Sequence, residues 1–103
     1  MIYEPQGDIN EMVEEARGRE GAVLIDVRDA DEYAEGHIPG SVNLPVEEIA
    51  RIGAVAPDPD APIYLYCHGG ARAVRAAVLL NREGYAEILP IGGIVEWNGP
   101  IEK

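Results

Sequence analysis

The chain has 103 residues, with 19 Asp and Glu against 8 Lys and Arg, so its formal net charge is −11. A chain of this length buries roughly 60–70% of its unfolded surface in one core, and we expect a single domain over residues 1–103. The acidic charge disfavours nucleic acid as a partner, because affinity for phosphates depends on Lys and Arg.

The first predicted element is an amphipathic helix near the N-terminus. Asp8 and Glu11 have the spacing of a capping box, in which each side chain binds the backbone N–H of the other residue. The apolar residues of this segment recur at helical intervals, at Ile9, Met12, Val13 and Ala16. Gly18 marks the end of the helix, and we expect its glutamates to form a solvated face.

Residues 22–27 predict a buried strand, because this apolar run is interrupted only by Asp26. Asp26 and Arg28 lie at its carboxyl end, where open α/β sheets bind ligands. We nevertheless interpret both residues as structural. Asp26 is expected to accept N–H bonds from the loop, and Arg28 is expected to pair with one of the next acidic residues, Asp29, Asp31 or Glu32.

The middle of the chain predicts short elements joined by turns. Residues 29–35 form an acidic helical segment, and residues 36–40 form a turn into a short strand at 41–44. A second short helical segment is expected over residues 46–52. The proline-rich stretch at 53–62 is too short for a linker between domains, so we interpret it as a surface connection.

A strand, a tight loop and a long helix are predicted around the only cysteine of the chain. The apolar residues 63–66 lead into Cys67, and a glycine pair follows at 69–70. Residues 71–84 are rich in Ala, Val and Leu and end in glycine, which is typical of a mostly buried helix.

This predicted loop favours a negative charge on Cys67. The first backbone N–H groups of a helix lack partners within it, and the helix N-terminus carries partial positive charge. If the glycines let the loop curl with its N–H groups inward, the loop becomes a nest for a thiolate or a charged adduct. Arg72 would lie at its mouth. A buried, inert cysteine is the alternative, and a sulfur open to solvent and surrounded by N–H groups distinguishes the two.

The remaining predicted elements are a last strand over residues 86–91 and a glycine turn at 92–93. Trp97 follows the turn, and we expect its side chain to close the core. Strands therefore alternate with helical segments along the whole chain. This order indicates an α/β domain with a mostly parallel sheet.

Four stretches of the sequence together resemble the rhodanese sulfurtransferase family. C-H-G-G-A-R at residues 67–72 fits the active-site loop of that family, C-x-x-G-x-R. L-I-D-V-R at 24–28, E-Y-A-E-G-H-I-P-G-S-V-N-L-P at 32–45 and G-G-I-V-E-W at 92–97 agree with it in order and spacing. The resemblance covers nearly the whole chain, and its most specific part is the run at 36–45.

The resemblance implies a three-layer α/β/α domain around a central, mostly parallel five-stranded sheet. It also implies a thiosulfate sulfurtransferase, in which the Cys67 thiolate takes sulfane sulfur from thiosulfate or a persulfide donor. The sulfur would then pass from a Cys67 persulfide to a thiol or cyanide. The substrate-binding residues would be His68, Gly69, Gly70, Ala71 and Arg72. No cofactor is implied, and the two histidines and the cysteine lack the spacing of a metal site.

Two other functions stay open at this stage. A sulfur-relay or interaction module that serves a protein partner would keep Cys67 but turn over little free thiosulfate. Ala73, where many relatives carry a hydroxyl, bears on how firmly the loop is held. A cysteine phosphatase or arsenate reductase uses a C-x5-R loop, whereas the arginine here comes one position early. The shorter loop fits one sulfur better than a tetrahedral oxyanion.

We expect a cytoplasmic protein whose partners are a small-molecule or protein-borne sulfur donor and a thiol acceptor. A single cysteine forms no internal disulfide and suits a reducing compartment. The first residues show no basic region followed by an apolar run, and no apolar stretch reaches the about 20 residues that span a bilayer. We therefore expect no secretory signal and no membrane partner.

Overall fold

The computed structural model describes residues 1–103 as alternating helices and strands. In chain order the elements are α1 (Ile9–Gly18), β1 (Val23–Asp26), α2 (Ala30–Glu35), β2 (Val42–Asn43), a 3₁₀ helix (Val46–Arg51), α3 (Ile52–Val55), β3 (Ile63–Cys67), α4 (Ala71–Arg82), β4 (Ile88–Gly93) and a second 3₁₀ helix (Ile94–Glu96). No helix combines the length and the apolar character that crossing a membrane requires.

Four parallel strands form the central sheet in the order β2-β1-β3-β4. The parallel α/β architecture is confirmed, but the fifth strand expected from the resemblance is absent. Its place beside β4 is taken by a single parallel bridge between Ile2 and Ile88, where the Tyr3 N–H also donates to the Ile88 carbonyl at 2.8 Å. The next residue whose N–H would donate to β4 is Pro5, two positions after Tyr3. Proline has no N–H, so the pairing does not continue.

The central strand β3 is buried on both faces, and its side chains alternate between two cores. Ile63, Leu65 and Cys67 belong to the core that α4 covers. Tyr64 and Tyr66 belong to the core on the opposite face, which α1 covers. The sheet therefore lies between two helical layers, which is the three-layer arrangement that the resemblance implies.

Helix α1 begins where the sequence predicts, because Asp8 caps it. Asp8 Oδ1 accepts the Glu11 N–H at 3.1 Å, and the Asp8 N–H donates to Glu11 Oε1 at 3.3 Å. The four apolar residues predicted for its inner face are all buried, namely Ile9, Met12, Val13 and Ala16. Local capping and helical spacing are thus enough to place this helix on the sheet.

Two tyrosines tie β3 to its neighbours from the α1 side. The Tyr64 hydroxyl donates to Glu15 of α1 at 2.6 Å. The Tyr66 hydroxyl accepts the Ile38 N–H at 3.1 Å and lies 3.0 Å from Ser41 Oγ. Burial raises the pKa of Tyr66, which keeps this hydroxyl protonated and able to donate. The turn that leads into β2 is therefore attached to the central strand next to Cys67.

An ion pair is buried where β1 ends. Asp26 is 0% exposed, and Arg28 donates to its carboxylate at distances from 2.7 to 3.1 Å. Asp26 Oδ1 also accepts the Arg28 backbone N–H at 2.9 Å, as the structural interpretation of Asp26 predicts. The partner predicted for Arg28 is wrong, because Arg28 binds Asp26 and not the acidic residues that follow. Residues two apart in extended chain project to the same side.

We expect Asp26→Ala to lower the free energy of unfolding by about 3–5 kcal/mol, because it leaves Arg28 buried without its counter-charge. Urea denaturation followed by circular dichroism measures the loss. Glu48→Ala is the matched control, since Glu48 pairs with Arg51 at 3.2 Å on the surface, where a pair contributes at most about 1 kcal/mol. Equal losses for the two variants would contradict the role of burial.

Candidate active site

A short loop connects the carboxyl end of β3 at Cys67 to the amino end of α4 at Ala71. Gly70 is the N-cap of α4, and its φ of 116° lies in the left-handed region that favours glycine. The Gly70 N–H donates to Cys67 Sγ at 3.0 Å. The sulfur therefore accepts a hydrogen bond at the end of the helix that carries partial positive charge.

The Cys67 side chain is more buried than the sequence analysis expects. Cys67 is 1% exposed and belongs to the core under α4, together with Leu65 and Ala73. This correction follows from the strand periodicity, because Cys67 is two residues beyond Leu65 and projects to the same covered face. The Cys67 side chain is therefore closed off from solvent, with the Gly70 amide directed at its sulfur.

One backbone N–H group of the loop donates to the sulfur, and others have no acceptor within the protein. Of the amides predicted to surround Cys67 Sγ, the one that donates to it is that of Gly70. The amides of Gly69, Ala71 and Arg72 donate to no acceptor within the protein. They belong to or adjoin the first turn of α4, where such groups have no partner in the helix. The loop therefore has further donors for an anion.

The predicted site residues differ in how far solvent reaches them. Cys67 is buried and Gly70 and Arg72 are half-buried, whereas the exposed residues are His68, Gly69 and Ala71. All of them lie at one edge of the sheet, because the carboxyl ends of parallel strands meet there. The site thus has a covered sulfur beneath an exposed backbone.

Strand β4 packs directly against this loop through two glycines. The register of the β3–β4 pair shifts just before Cys67, which pairs with Gly93. Gly92 lies next to this irregularity and has a φ of 111°, a left-handed conformation that favours glycine. A Cβ on Gly93 would overlap the His68 carbonyl and lie 2.6 Å from Gly69 Cα. The strand predicted over residues 86–91 stops short of this close contact, which only the adjacent glycines indicate.

Arg72 makes a bidentate ion pair with Glu32 of α2. Nη1 and Nη2 of Arg72 donate to Oε1 and Oε2 of Glu32 at 2.7 and 3.1 Å. These hydrogen bonds lower the pKa of Glu32 to about 2 and raise that of Arg72, so both groups are charged at neutral pH. Glu32 was predicted only as one of three possible partners of Arg28, and its contact with Arg72 was missed because the two residues are 40 positions apart.

A groove of about 440 Å³ runs beside the loop. Its lining residues are Arg28, Glu32, Glu35, Gly36, His68, Ile94 and Ile101. Cys67 does not line it, so a molecule in the groove meets the loop at His68 and not at the sulfur. The groove carries both signs of charge, but Arg28 and Glu32 are each engaged in an ion pair.

His37 lies in the turn before β2 and takes no part in the groove. Its ring stacks on Tyr33 with 3.7 Å between centroids, and its Nδ1 lies 2.9 Å from the Tyr33 carbonyl oxygen. The His37 backbone also pairs with Glu102 in an antiparallel bridge. These contacts hold His37 in the turn. No group of three or more His, Cys, Asp or Glu could hold a metal ion.

The sheet, the two helical layers and the cysteine loop define a rhodanese-type domain. The family model described as "Rhodanese-like domain" matches residues 9–100, and the chain therefore belongs to the rhodanese-like family. The thiosulfate sulfurtransferase GlpE of Pseudomonas savastanoi pv. phaseolicola is 38% identical over 84 residues, which cover 81% of this chain and 78% of that protein.

Two further comparisons agree with this family. A sulfurtransferase of Allochromatium vinosum is 36% identical over 80 residues, which cover 76% of this chain and 73% of that protein. Among solved structures, "rhodanese with anions from E. coli" superposes with a TM-score of 0.75 at 30% identity, covering 80% of this chain and 98% of that one. The chain is thus similar to sulfurtransferases in both sequence and fold.

Gly93→Ala is expected to lower the free energy of unfolding by about 1–3 kcal/mol, because an added Cβ has no room between β4 and the loop. Thermal and urea denaturation measure this loss. Gly18→Ala is the control, since nothing lies within 4 Å of a Cβ added to Gly18 at the end of α1. A comparable loss in the control would rule out the steric explanation.

The Arg72–Glu32 pair makes stability depend on acidic pH. The folded pKa of Glu32, about 2, lies below its ordinary value of 4.5. Its contribution is therefore complete above pH 4.5 and is lost as the pH falls toward about 2.

We accordingly expect the stability difference between wild type and Glu32→Gln, at most about 1 kcal/mol for a partly exposed pair, to shrink over that pH range. Urea denaturation at several pH values measures it. Asp31→Asn, which removes a neighbouring exposed carboxylate that forms no ion pair, is the matched control. A stability difference between wild type and Glu32→Gln that does not change with pH would contradict the pairing.

Proposed function

We propose that the protein is a sulfurtransferase that carries sulfane sulfur as a persulfide on Cys67. The observation that carries this proposal is the 3.0 Å hydrogen bond from the Gly70 N–H to Cys67 Sγ at the amino end of α4. A donor directed at the sulfur stabilises its negative charge, and the thiolate is the nucleophilic form of cysteine. Membership in the rhodanese-like family supports the same chemistry.

The proposed reaction consists of two displacements at sulfur. In the first, the Cys67 thiolate attacks the sulfane sulfur of thiosulfate, the S–S bond of the donor breaks, and sulfite leaves with the electron pair. Cys67 then carries a persulfide. In the second, a thiol or cyanide attacks the outer sulfur and leaves as a persulfide or thiocyanate, and Cys67 returns to the thiolate. The covalent intermediate implies ping-pong kinetics.

The other loop residues are proposed to hold negative charge during both steps. The amides of Gly69, Ala71 and Arg72 have no acceptor in the protein and would bind the outer sulfur or the anionic end of the donor. The N–H groups of the Arg72 guanidinium that do not bind Glu32 would also bind this negative charge. His68, exposed at the groove, would meet the donor first. None of these steps draws on a cofactor.

The burial of Cys67 adds a requirement to this reaction. With the residue 1% exposed, a donor reaches the sulfur only when the loop opens. Gly69 and Gly70 lie between Cys67 and α4, and glycine changes its backbone conformation with little steric cost. Rotation at these two residues would uncover Sγ while β3 and α4 stay in place.

The same burial favours a second candidate function, a sulfur relay that serves a protein partner and turns over little free thiosulfate. A protein that docks on the loop gains binding energy over a wide surface and can use it to hold the loop open. A small donor has few contacts to offer. The net charge of −11 also opposes the approach of small anions.

We propose that residues 1–103 are one domain that works in the cytoplasm. Both cores pack against the same sheet, so the whole chain supports one site. A carrier with a single cysteine depends on acceptors that stay reduced, and the cytoplasm provides them. The proposed partners are a sulfur donor and a thiol acceptor, either small or protein-borne.

Incubation with thiosulfate, followed by mass spectrometry of the intact protein, tests this function. We expect the wild-type chain to gain the mass of one sulfur atom, because the Cys67 thiolate retains the sulfane sulfur. Cys67→Ser should gain none, since it keeps the size of the side chain and removes the thiolate. Circular dichroism verifies the fold of both proteins. A folded wild-type chain that takes up sulfur from neither thiosulfate nor glutathione persulfide would refute the assignment.

Adding cyanide to the loaded protein separates the enzyme from the relay. Many cycles of thiocyanate formation per protein molecule support an enzyme that uses free thiosulfate. Loading by glutathione persulfide without such cycles supports the relay.

A further inference from the structure

The guanidinium at the loop is already neutralised by a carboxylate of the same chain. Arg72 and Glu32 are joined by two hydrogen bonds of 2.7 and 3.1 Å, and each side chain is 32% exposed. Glu32 lies in the first turn of α2, where its Oε1 also accepts the Asp29 N–H at 3.1 Å. The start of α2 therefore holds Glu32 in place for Arg72.

The other positive side chains near the loop do not restore a net positive charge. Arg28 lines the adjoining groove but is paired with the buried Asp26 at 2.7 Å. Arg75 follows one turn later on α4, where it is exposed and solvent screens its charge. Glu35 adds an unpaired negative charge to the groove. An incoming donor therefore meets directed N–H groups with little net charge behind them.

A guanidinium paired in this way keeps its hydrogen bonds but loses most of its attraction for a second anion. Arginine has five N–H donors, and Glu32 accepts from two of them, so the remaining edge can still bind an oxygen or a sulfur. The Glu32 carboxylate repels that second anion in proportion to its charge. A dianion is repelled about twice as strongly as a monoanion in the same position.

We propose that Glu32 is a specificity-determining residue that makes the site favour sulfane-sulfur donors whose reacting end carries at most one negative charge, such as thiosulfonates and persulfides, over the thiosulfate dianion. This inference rests on the proposed function. In each case the Cys67 thiolate attacks the sulfane sulfur and the S–S bond of the donor breaks. The leaving group takes the electron pair and departs as a sulfinate, a thiolate or sulfite. The donors therefore differ at this site in the charge that the loop must hold.

Methanethiosulfonate and thiosulfate are a matched pair of probes, because a methyl group replaces one charged oxygen. The measurement is the second-order rate constant of persulfide formation with each donor, followed by mass spectrometry in a single turnover. Glu32→Gln removes the charge and keeps an oxygen that can accept the Asp29 N–H. We expect the preference for methanethiosulfonate over thiosulfate to fall about two- to fivefold, the effect of one partly exposed ion pair.

Asp31→Asn is the matched control, because it removes the same charge one residue away on α2 from an exposed side chain that forms no ion pair. Its donor preference should equal that of the wild type. Glu32→Ala, which also suits a helix, is measured in parallel and should shift the preference in the same direction if Glu32→Gln does not fold.

The outcomes separate this inference from the function on which it rests. Persulfide formation with an unchanged preference in the Glu32 variants overturns the inference alone. An equal shift in Asp31→Asn overturns it as well, because the effect would then come from net charge and not from the pair. Failure of both donors and of glutathione persulfide to load the wild-type chain overturns the proposed function, and the inference with it.

Discussion

Backbone lies directly on backbone where β4 passes the Cys67 loop, and this contact requires glycine at position 93. The loop has few other contacts to hold it, because Gly69, Gly70 and Ala71 carry small side chains or none. Behind Gly93, the Val95 N–H donates to the His68 carbonyl at 3.2 Å and fixes the far side of the loop. Strand β4 and the residues after it therefore determine where the Gly70 amide lies, and with it the hydrogen bond to the sulfur.

The charges around this loop are arranged in pairs within the protein. Arg72 binds Glu32 and Arg28 binds Asp26, so neither guanidinium faces the groove as a free cation. The positive character of the site consequently comes from backbone dipoles, whose direction the fold determines. This arrangement fits a protein with a net charge of −11, because a small number of directed N–H groups can act locally within an acidic surface.

Helix capping and apolar spacing could be predicted from the sequence, whereas the partners of the charged side chains Arg28 and Arg72 could not. The start of α1 follows from the three-residue spacing of Asp8 and Glu11. The Arg72–Glu32 pair joins α4 to α2, and no local pattern indicates which acidic residue faces the arginine. The burial of Cys67 is an intermediate case. Its position at the end of a buried strand was visible, but only the fold shows that the core under α4 extends as far as Cys67.

The hydroxyl groups on the far side of β3 have a consequence for how the molecule can move. Tyr64 is hydrogen-bonded to α1, and Tyr66 is hydrogen-bonded to the turn before β2. The strand that carries Cys67 is therefore attached at two points on the face opposite the cysteine. Sliding of this strand would break both anchors at once. The loop opening proposed for donor access would therefore take place in front of a stationary strand, through rotation at Gly69 and Gly70 alone.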